Sequence, residues 1–362
     1  MPAGLDRVFF VSGGSEAVES AVKLARQYKI TQGEASRWKV ISRFPSYHGC
    51  TLGALAVTGY DPLTEPFAPM MRAMPKIPAP TAYLDGLDAS DPATGRHYAE
   101  MLRAGIEAEG PETVLAFLVE PLGGASTGAL PPPVGYMEAV REICDAHGVL
   151  LIHDEVMTGG GRTGRYFGGD HWPAPPDILA ISKGLGAGYV PLGAMVAQDR
   201  IVEAVLDAGG FAHGFTYAGN PLACAAGLAV IDEIERRDMM ANAADIGAVL
   251  KGRLTGLIDR FPFIGDVRGM GLLLALELVA DRATMQPLPP AMKAHDRLVE
   301  QAYARGLIIY SRRTRGGYSG DHVMVCPPMI TTAGQVEEII GLLGEALDAL
   351  ASELDLPVAR AA

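Results

Sequence analysis

The chain has 362 residues, of which 49% are hydrophobic and 20% charged, with a formal net charge of −12. That length and apolar content suit one large domain with a smaller one, and the acidic balance excludes a broad nucleic-acid surface. No apolar run reaches membrane-spanning length, and the opening MPAGLDR lacks the charged-then-apolar pattern of a signal peptide. Cys50, Cys144, Cys224 and Cys326 form no CxxC pair. A disulfide framework or zinc site is therefore not expected, and a reducing, cytoplasmic setting is.

Leu5–Val11 reads as a short strand, followed by a helix over about residues 15–28 in which Ala17, Ala21, Leu24 and Tyr28 form one stripe. The turn between them is Ser12-Gly13-Gly14-Ser15. Free N–H groups and the helix dipole make such a turn an anion site fit for a phosphate; it also reads as an ordinary cap complemented by Glu16 and Glu19. Lys39–Ser42 is a second strand, with Tyr47-His48-Gly49 in the loop behind it. Loops at the carboxyl ends of strands line the ligand crevice of open α/β sheets, where an aromatic either stacks on a planar ligand or simply packs. Residues 60–95, rich in proline and without periodicity, read as a long surface connection.

Val114–Val119 is an apolar run ending at Glu120-Pro121. A helix follows over 134–146, with Met137, Val140 and Cys144 on one face and Gly148 as its stop. Val149–Ile152 reads as a parallel strand buried on both faces, and it ends in His153-Asp154-Glu155. A carboxylate there needs a partner, a ligand cation for example, or it costs roughly several kcal/mol; capping a loop is the other reading. Residues 159–164 match GxGxxG, but the aromatic and proline-rich YFGGDHWPAPP after them is not a helix. A flexible glycine loop beside Asp154 is therefore expected, not a dinucleotide fingerprint.

Asp177–Ile181 is a strand leading into Lys183, the only charged residue between 178 and 197. A lysine among small and apolar residues either sends its head to solvent or sits desolvated and neutral, the form that condenses with carbonyls. Leu192–Val196 is another strand. Thr216, a second oxyanion contact or a turn residue, lies in the loop ahead of a helix opened by Asn220 and Pro221. After about 235 the pattern changes: helix 239–260, strand 264–279, helix 290–305, strands 306–311 and 322–326. A last helix carries Val336, Ile339, Ile340, Leu343, Leu347 and Leu350 on one face. Residues 1–235 are thus read as a large domain and 236–362 as a small α+β domain. Arg312, Arg313 and Arg315 fall in a glycine-flanked loop that is either solvated or a mobile clamp for a substrate carboxylate.

A phosphate-competent turn, a stacking aromatic, an acid at a buried strand end and an apolar lysine together match the needs of pyridoxal 5'-phosphate. Beyond that set, FFVSGGSEAVESAVKLAR, YHGCTLGALAVTG, LLIHDEVMTGGGRTG, ISKGLGAGYVPLGA and FTYAGNPLACAAGLA resemble the class III (omega-amino acid) aminotransferases from residue 8 to about 330. The resemblance implies an α/β fold of type I, with a mostly parallel central sheet in the large domain. It implies that Lys183 carries the cofactor as a Schiff base and shuttles the proton, that Asp154 pairs with the pyridinium, and that Val156 and Tyr47 sandwich the ring. Gly14 and Ser15 would hold the phosphate, and His48 joins the cofactor contacts. Thr216, with Phe215 beside it, would reach the neighbouring subunit's phosphate, so a homodimer or higher is implied. Glu120 matches an acid near the substrate.

The implied reaction moves an amino group from an amine or omega-amino acid to a 2-oxo acid, pyruvate above all. A 2,1-aminomutase, a decarboxylating member of the fold, and a truncated chain of little activity are the alternatives. Two departures bear on this. Family members have several dozen residues ahead of the strand at Leu5: this chain is a fragment, begins at a misassigned start or is genuinely short, and only the last case implies an open site and a weak dimer. Some members also carry an arginine where this chain has Met324, leaving Arg312, then Arg313 and Arg315, as carboxylate binders.

Overall fold

The computed structural model describes residues 4–359, so the first three residues of the amino-terminal segment lie outside it. The elements run β1 (Arg7–Val11), α1 (Gly14–Thr31), β2 (Lys39–Phe44), α2 (Leu52–Val57), α3 (Asp61–Thr64), β3 (Lys76–Pro78), α4 (Pro92–Glu109), β4 (Val114–Val119), α5 (Tyr136–His147) and β5 (Leu150–Asp154). They continue with β6 (Ile178–Ile181), β7 (Gly193–Ala197), α6 (Asp199–Asp207), α7 (Pro221–Arg236), α8 (Met239–Arg260), β8 (Ile264–Met270), β9 (Leu273–Asp281) and β10 (Gln286–Pro287). The last are α9 (Ala294–Tyr303), β11 (Tyr310–Arg315), β12 (Ser319–Val325) and α10 (Ala333–Leu354).

Strands β1 to β7 form one sheet in the order β1-β7-β6-β5-β4-β2-β3. β3, β2, β4, β5 and β6 are mutually parallel, whereas β7 runs against both β6 and β1. Every residue of β4, β5 and β6 is buried, as in parallel strands covered on both faces; all are apolar except His153 and Asp154 at the end of β5. Six of the seven strands therefore point the same way, and the loops after β1, β2, β4, β5 and β6 all emerge at one edge. Strands β8 to β12 form a second, antiparallel sheet with its own core, built on Leu250, Leu254, Leu274, Leu276, Leu343 and Leu347.

Several sequence expectations need correction. Residues 60–95 are not one surface connection: they hold α3, the edge strand β3 and the start of α4. Asp91 caps α4 by accepting from Ala93 N–H at 2.8 Å, with Pro92 in the first turn, and Tyr98, Leu102 and Ile106 supply its buried stripe. The expected strand 264–279 is a hairpin, broken where Gly271 takes φ +55°. The strand expected over 306–311 is β11, four residues later. Its arginines accordingly stand on a paired strand, not in a loop. Nor is the glycine run after β5 loose: Glu155 accepts from Thr158 Oγ1 and from the N–H groups of Gly168 at 2.8 Å and Gly169 at 2.7 Å. Its glycines serve close packing, since a Cβ on Gly159 would lie 2.7 Å from Ile181 Cδ1.

Candidate active site

The carboxyl edge of the seven-stranded sheet opens into a cavity of about 620 Å³. Five strand ends converge on it. β1 delivers Gly14 and Ser15, β2 delivers Tyr47 and His48, β4 delivers Glu120, β5 delivers Asp154 and Val156, and β6 delivers Lys183. The second sheet closes the opposite side with Tyr310, Arg312 and Met324.

Lys183 sits two residues past β6 in a single 3₁₀ turn and has φ +35°. A non-glycine residue in that region stores strain, which persists only where the surroundings impose it. Its side chain opens onto the cavity and meets solvent there, while protein crowds it elsewhere. That partial desolvation lowers its pKa from the ordinary lysine value, against the opposing pull of Asp154 and Glu120.

Asp154 closes β5 and is buried. Its Oδ2 accepts from His48 Nδ1–H at 2.7 Å, and its Oδ1 from the Val156 N–H at 3.0 Å. The His48 ring is buried with Nε2 unpartnered. Glu120 accepts the Gly124 N–H at 2.9 Å on Oε1, while its buried Oε2 has no hydrogen-bond partner. Arg43, 3.9 Å away, donates to the Glu120 backbone oxygen instead. Burial raises the Glu120 pKa; His48 and Arg43 work against the rise and Asp154 adds to it.

At the cavity's other end, the 18-residue helix α1 starts at Gly14, and its cap Gly13 makes no side-chain cap. The first-turn N–H groups of such a helix lack intrahelical partners. A Cβ on Gly14 would lie 2.8 Å from Val156 Cγ1, so any side chain would crowd the floor. Ser15 Oγ accepts the Cys50 N–H at 3.0 Å and lies 3.7 Å from Cys50 Sγ, a weak contact that a phosphate oxygen could replace as acceptor of its proton.

These features fit pyridoxal phosphate. The uncapped helix start with Ser15 suits a dianion, the cavity wall formed by Val156 and Tyr47 suits a flat ring, and the anchored Asp154 suits a protonated ring nitrogen. Among the described residues no group of three or more His, Cys, Asp or Glu is placed to hold a metal.

The remaining candidates divide. Arg312 lines the cavity, lies 5.0 Å from the Tyr310 ring centroid and forms no salt bridge among the described residues. Arg313 and Arg315 do not line it. Arg313 is committed to Asp321 at 2.8 Å and to the Pro290 carbonyl at 2.6 Å, and Arg315 donates to the Met285 carbonyl. Alternation along β11 is the reason: neighbours on a strand face opposite ways. Phe215 and Thr216 lie outside this cavity, with Thr216 exposed ahead of α7. Sequence reasoning missed Tyr60, Leu63, Met157 and Tyr310, which also line it. They carry no motif; only tertiary packing brings them there.

Residues 1–347 match the family model for class III aminotransferases. A probable aminotransferase of Mycobacterium tuberculosis is 40% identical over 348 residues, 96% of this chain and 74% of its own length. A putrescine–pyruvate aminotransferase of Pseudomonas aeruginosa is 35% identical, covering 97% of this chain and 75% of its own. The crystal structure of an amine transaminase from an uncultivated Pseudomonas species, in its pyridoxal-phosphate-bound form, superimposes with a TM-score of 0.89 at 38% identity, over 96% of this chain and 78% of that one. This chain belongs to the class III aminotransferases, pyridoxal-phosphate-dependent enzymes of fold type I.

Proposed function

We propose that this enzyme takes the amino group of a primary amine or omega-amino acid and passes it to a small 2-oxo acid, with pyruvate as the acceptor. The observation that carries this reading is the meeting of Lys183 and the His48–Asp154 pair in one cavity whose far side offers a single unpaired cation, Arg312. Beside that pair, Leu63, Leu122, Met157 and Met324 make an apolar wall with one arginine, which suits an amine donor and a short carboxylate acceptor in turn. The putrescine–pyruvate specificity of the Pseudomonas aeruginosa relative supports the same pairing.

When bound, pyridoxal phosphate supplies an electron sink for the carbon that bears the amino group. The chain's own residues do the rest. Gly14 and Ser15 take the phosphate, Tyr47 and Val156 flank the ring, and Asp154, held by His48 and the Val156 N–H, faces the ring nitrogen. The neutral amine of Lys183, favoured by desolvation, removes the proton from the substrate carbon, holds it at Nζ and returns it, acting as general base and then acid. Glu120 stands beside the substrate amine, and Arg312 orients the acceptor carboxylate. Thr216 and Phe215 are assigned to the phosphate site of a second copy, making the working unit a homodimer.

The test is to mix the purified protein with pyridoxal phosphate, an amine and pyruvate, and follow both the visible absorbance of the lysine-bound cofactor and alanine formation. The expected result is absorbance in the parent that is missing in Lys183→Ala, with alanine formed only by the parent. Equal behaviour of parent and variant, or release of CO2 in place of alanine, would overturn the reading.

A further inference from the structure

Behind the cavity wall lies a second group of buried charges that the proposed reaction does not use. Arg268 on β8 is buried and ion-paired with Asp266 at 2.9 Å and Glu277 at 2.8 Å. Tyr83 lies under its guanidinium, 4.4 Å to the ring centroid, and donates its hydroxyl to Glu277 Oε2 at 2.7 Å. Arg268 also reaches out of its own sheet. Nε–H donates to the Gly128 carbonyl at 2.7 Å and Nη2–H to the Thr127 carbonyl at 2.9 Å.

Those carbonyls belong to the loop after β4, whose Leu122, Ala125 and Ser126 line the cavity. Gly128 and Ala129 follow in consecutive left-handed conformations, φ +63° and +52°. A planar fork with fixed donor directions holds two adjacent carbonyls in one geometry, which a lysine cannot do. The same ion pair also contacts the strand that carries Arg312: Glu277 Oε1 accepts from Thr314 Oγ1 at 3.2 Å, two residues along β11 from Arg312.

We infer that Arg268, paired with Glu277, is a positioning residue that sets the width of the substrate pocket by gripping the Thr127 and Gly128 carbonyls. It touches neither substrate nor cofactor; it acts through Leu122, Ala125 and Ser126. This rests on the cavity being the substrate site.

The test compares the parent with Arg268→Lys, which keeps the charge but loses the fork, and with Gly128→Ala, whose Cβ would meet Arg268 Nη2 and His322 Cδ2, each at 2.8 Å. Hydrogen–deuterium exchange of the 122–130 amides is measured on each protein, independently of turnover. kcat and KM are then measured for a series of straight-chain primary amines of increasing length, alongside a pyridoxal phosphate titration by absorbance. Both variants are expected to exchange this loop at least tenfold faster and to change the KM ratio between longest and shortest amine at least tenfold, with kcat for the shortest amine and cofactor affinity within about twofold of the parent. Unchanged loop exchange, or a loss uniform across the amine series, overturns the proposal. A parent that turns over no amine, with loop exchange still accelerated in Arg268→Lys, instead overturns the transaminase reading and leaves the anchoring in place.

Discussion

Two groups of buried charge, one in each sheet, are treated in opposite ways. In the five-stranded sheet, Arg268 spends its donors on two carboxylates and two carbonyls, and Glu277 is met by Arg268, Tyr83 and Thr314. At the edge of the seven-stranded sheet, Glu120 Oε2 and His48 Nε2 are left without partners, and Lys183, open to the cavity, is partly desolvated in a strained turn. A buried polar group without a partner costs about 1–3 kcal/mol. The cavity carries that cost where a ligand would supply the missing contacts, and the Arg268–Glu277 group avoids it by pairing internally. Disrupting the cavity group should therefore cost activity, and disrupting the Arg268–Glu277 group should cost stability.

The largest expected effect is on chemistry. Lys183→Ala should lower the transamination rate by about 10²–10⁴-fold, the range for a general acid–base group, with the denaturant midpoint of the apoprotein unchanged or raised. A lowered midpoint would blur the contrast between the sheets. Next is Glu277→Ala, which leaves the buried Arg268 with Asp266 as its one remaining carboxylate partner and should destabilise the fold by up to about 3–5 kcal/mol. Denaturant unfolding measures it, and a loss of activity without a loss of stability would contradict the comparison.

Asp154→Asn keeps the shape of the side chain and removes its charge. Turnover should fall about 10²–10³-fold, as for loss of a preorganised electrostatic partner, while a phosphate-only ligand such as inorganic phosphate should bind as in the parent. Glu155 tests the fold beneath the site. Burial raises its pKa to about 7 against the partly compensating bonds from Thr158, Gly169 and Gly168. The folded state thus holds this proton more tightly than the unfolded chain. Its contribution to stability is complete below about pH 4.5 and is lost as pH rises through 7, by about 3 kcal/mol. Glu155→Gln should remove that slope, read as the pH dependence of the denaturant midpoint. A slope equal in parent and variant would assign the pH dependence elsewhere.

The smallest effect is at the exposed rim. Arg312→Met should cost about 1.5–3 kcal/mol of acceptor binding, the worth of a hydrogen bond to a charged group. That is roughly a ten- to hundredfold rise in KM for pyruvate, with kcat for an uncharged amine little changed. An equal rise on Arg313→Met, whose guanidinium is already committed to Asp321, would reverse the choice between the two arginines.

The sequence by itself determined which strands are buried on both faces, where α1, α5 and α7 begin or end, and which residues stand at strand ends. Each of these depends on a local pattern: an unbroken apolar run for β4 and β5, Gly148 in the left-handed conformation after α5, and Asn220 capping α7 through the Ala223 N–H at 2.9 Å. From that alone Lys183, Asp154, Tyr47 and Gly14 could be named as neighbours, because strand ends of a parallel sheet share one edge. Only the tertiary structure decided which arginine faces the cavity and which is tied down, since shifting β11 by one residue exchanges its two faces. It alone also brought Tyr60, Tyr310 and the Arg268–Glu277 pair to the site, because their contacts join segments far apart in the chain and no local period records them.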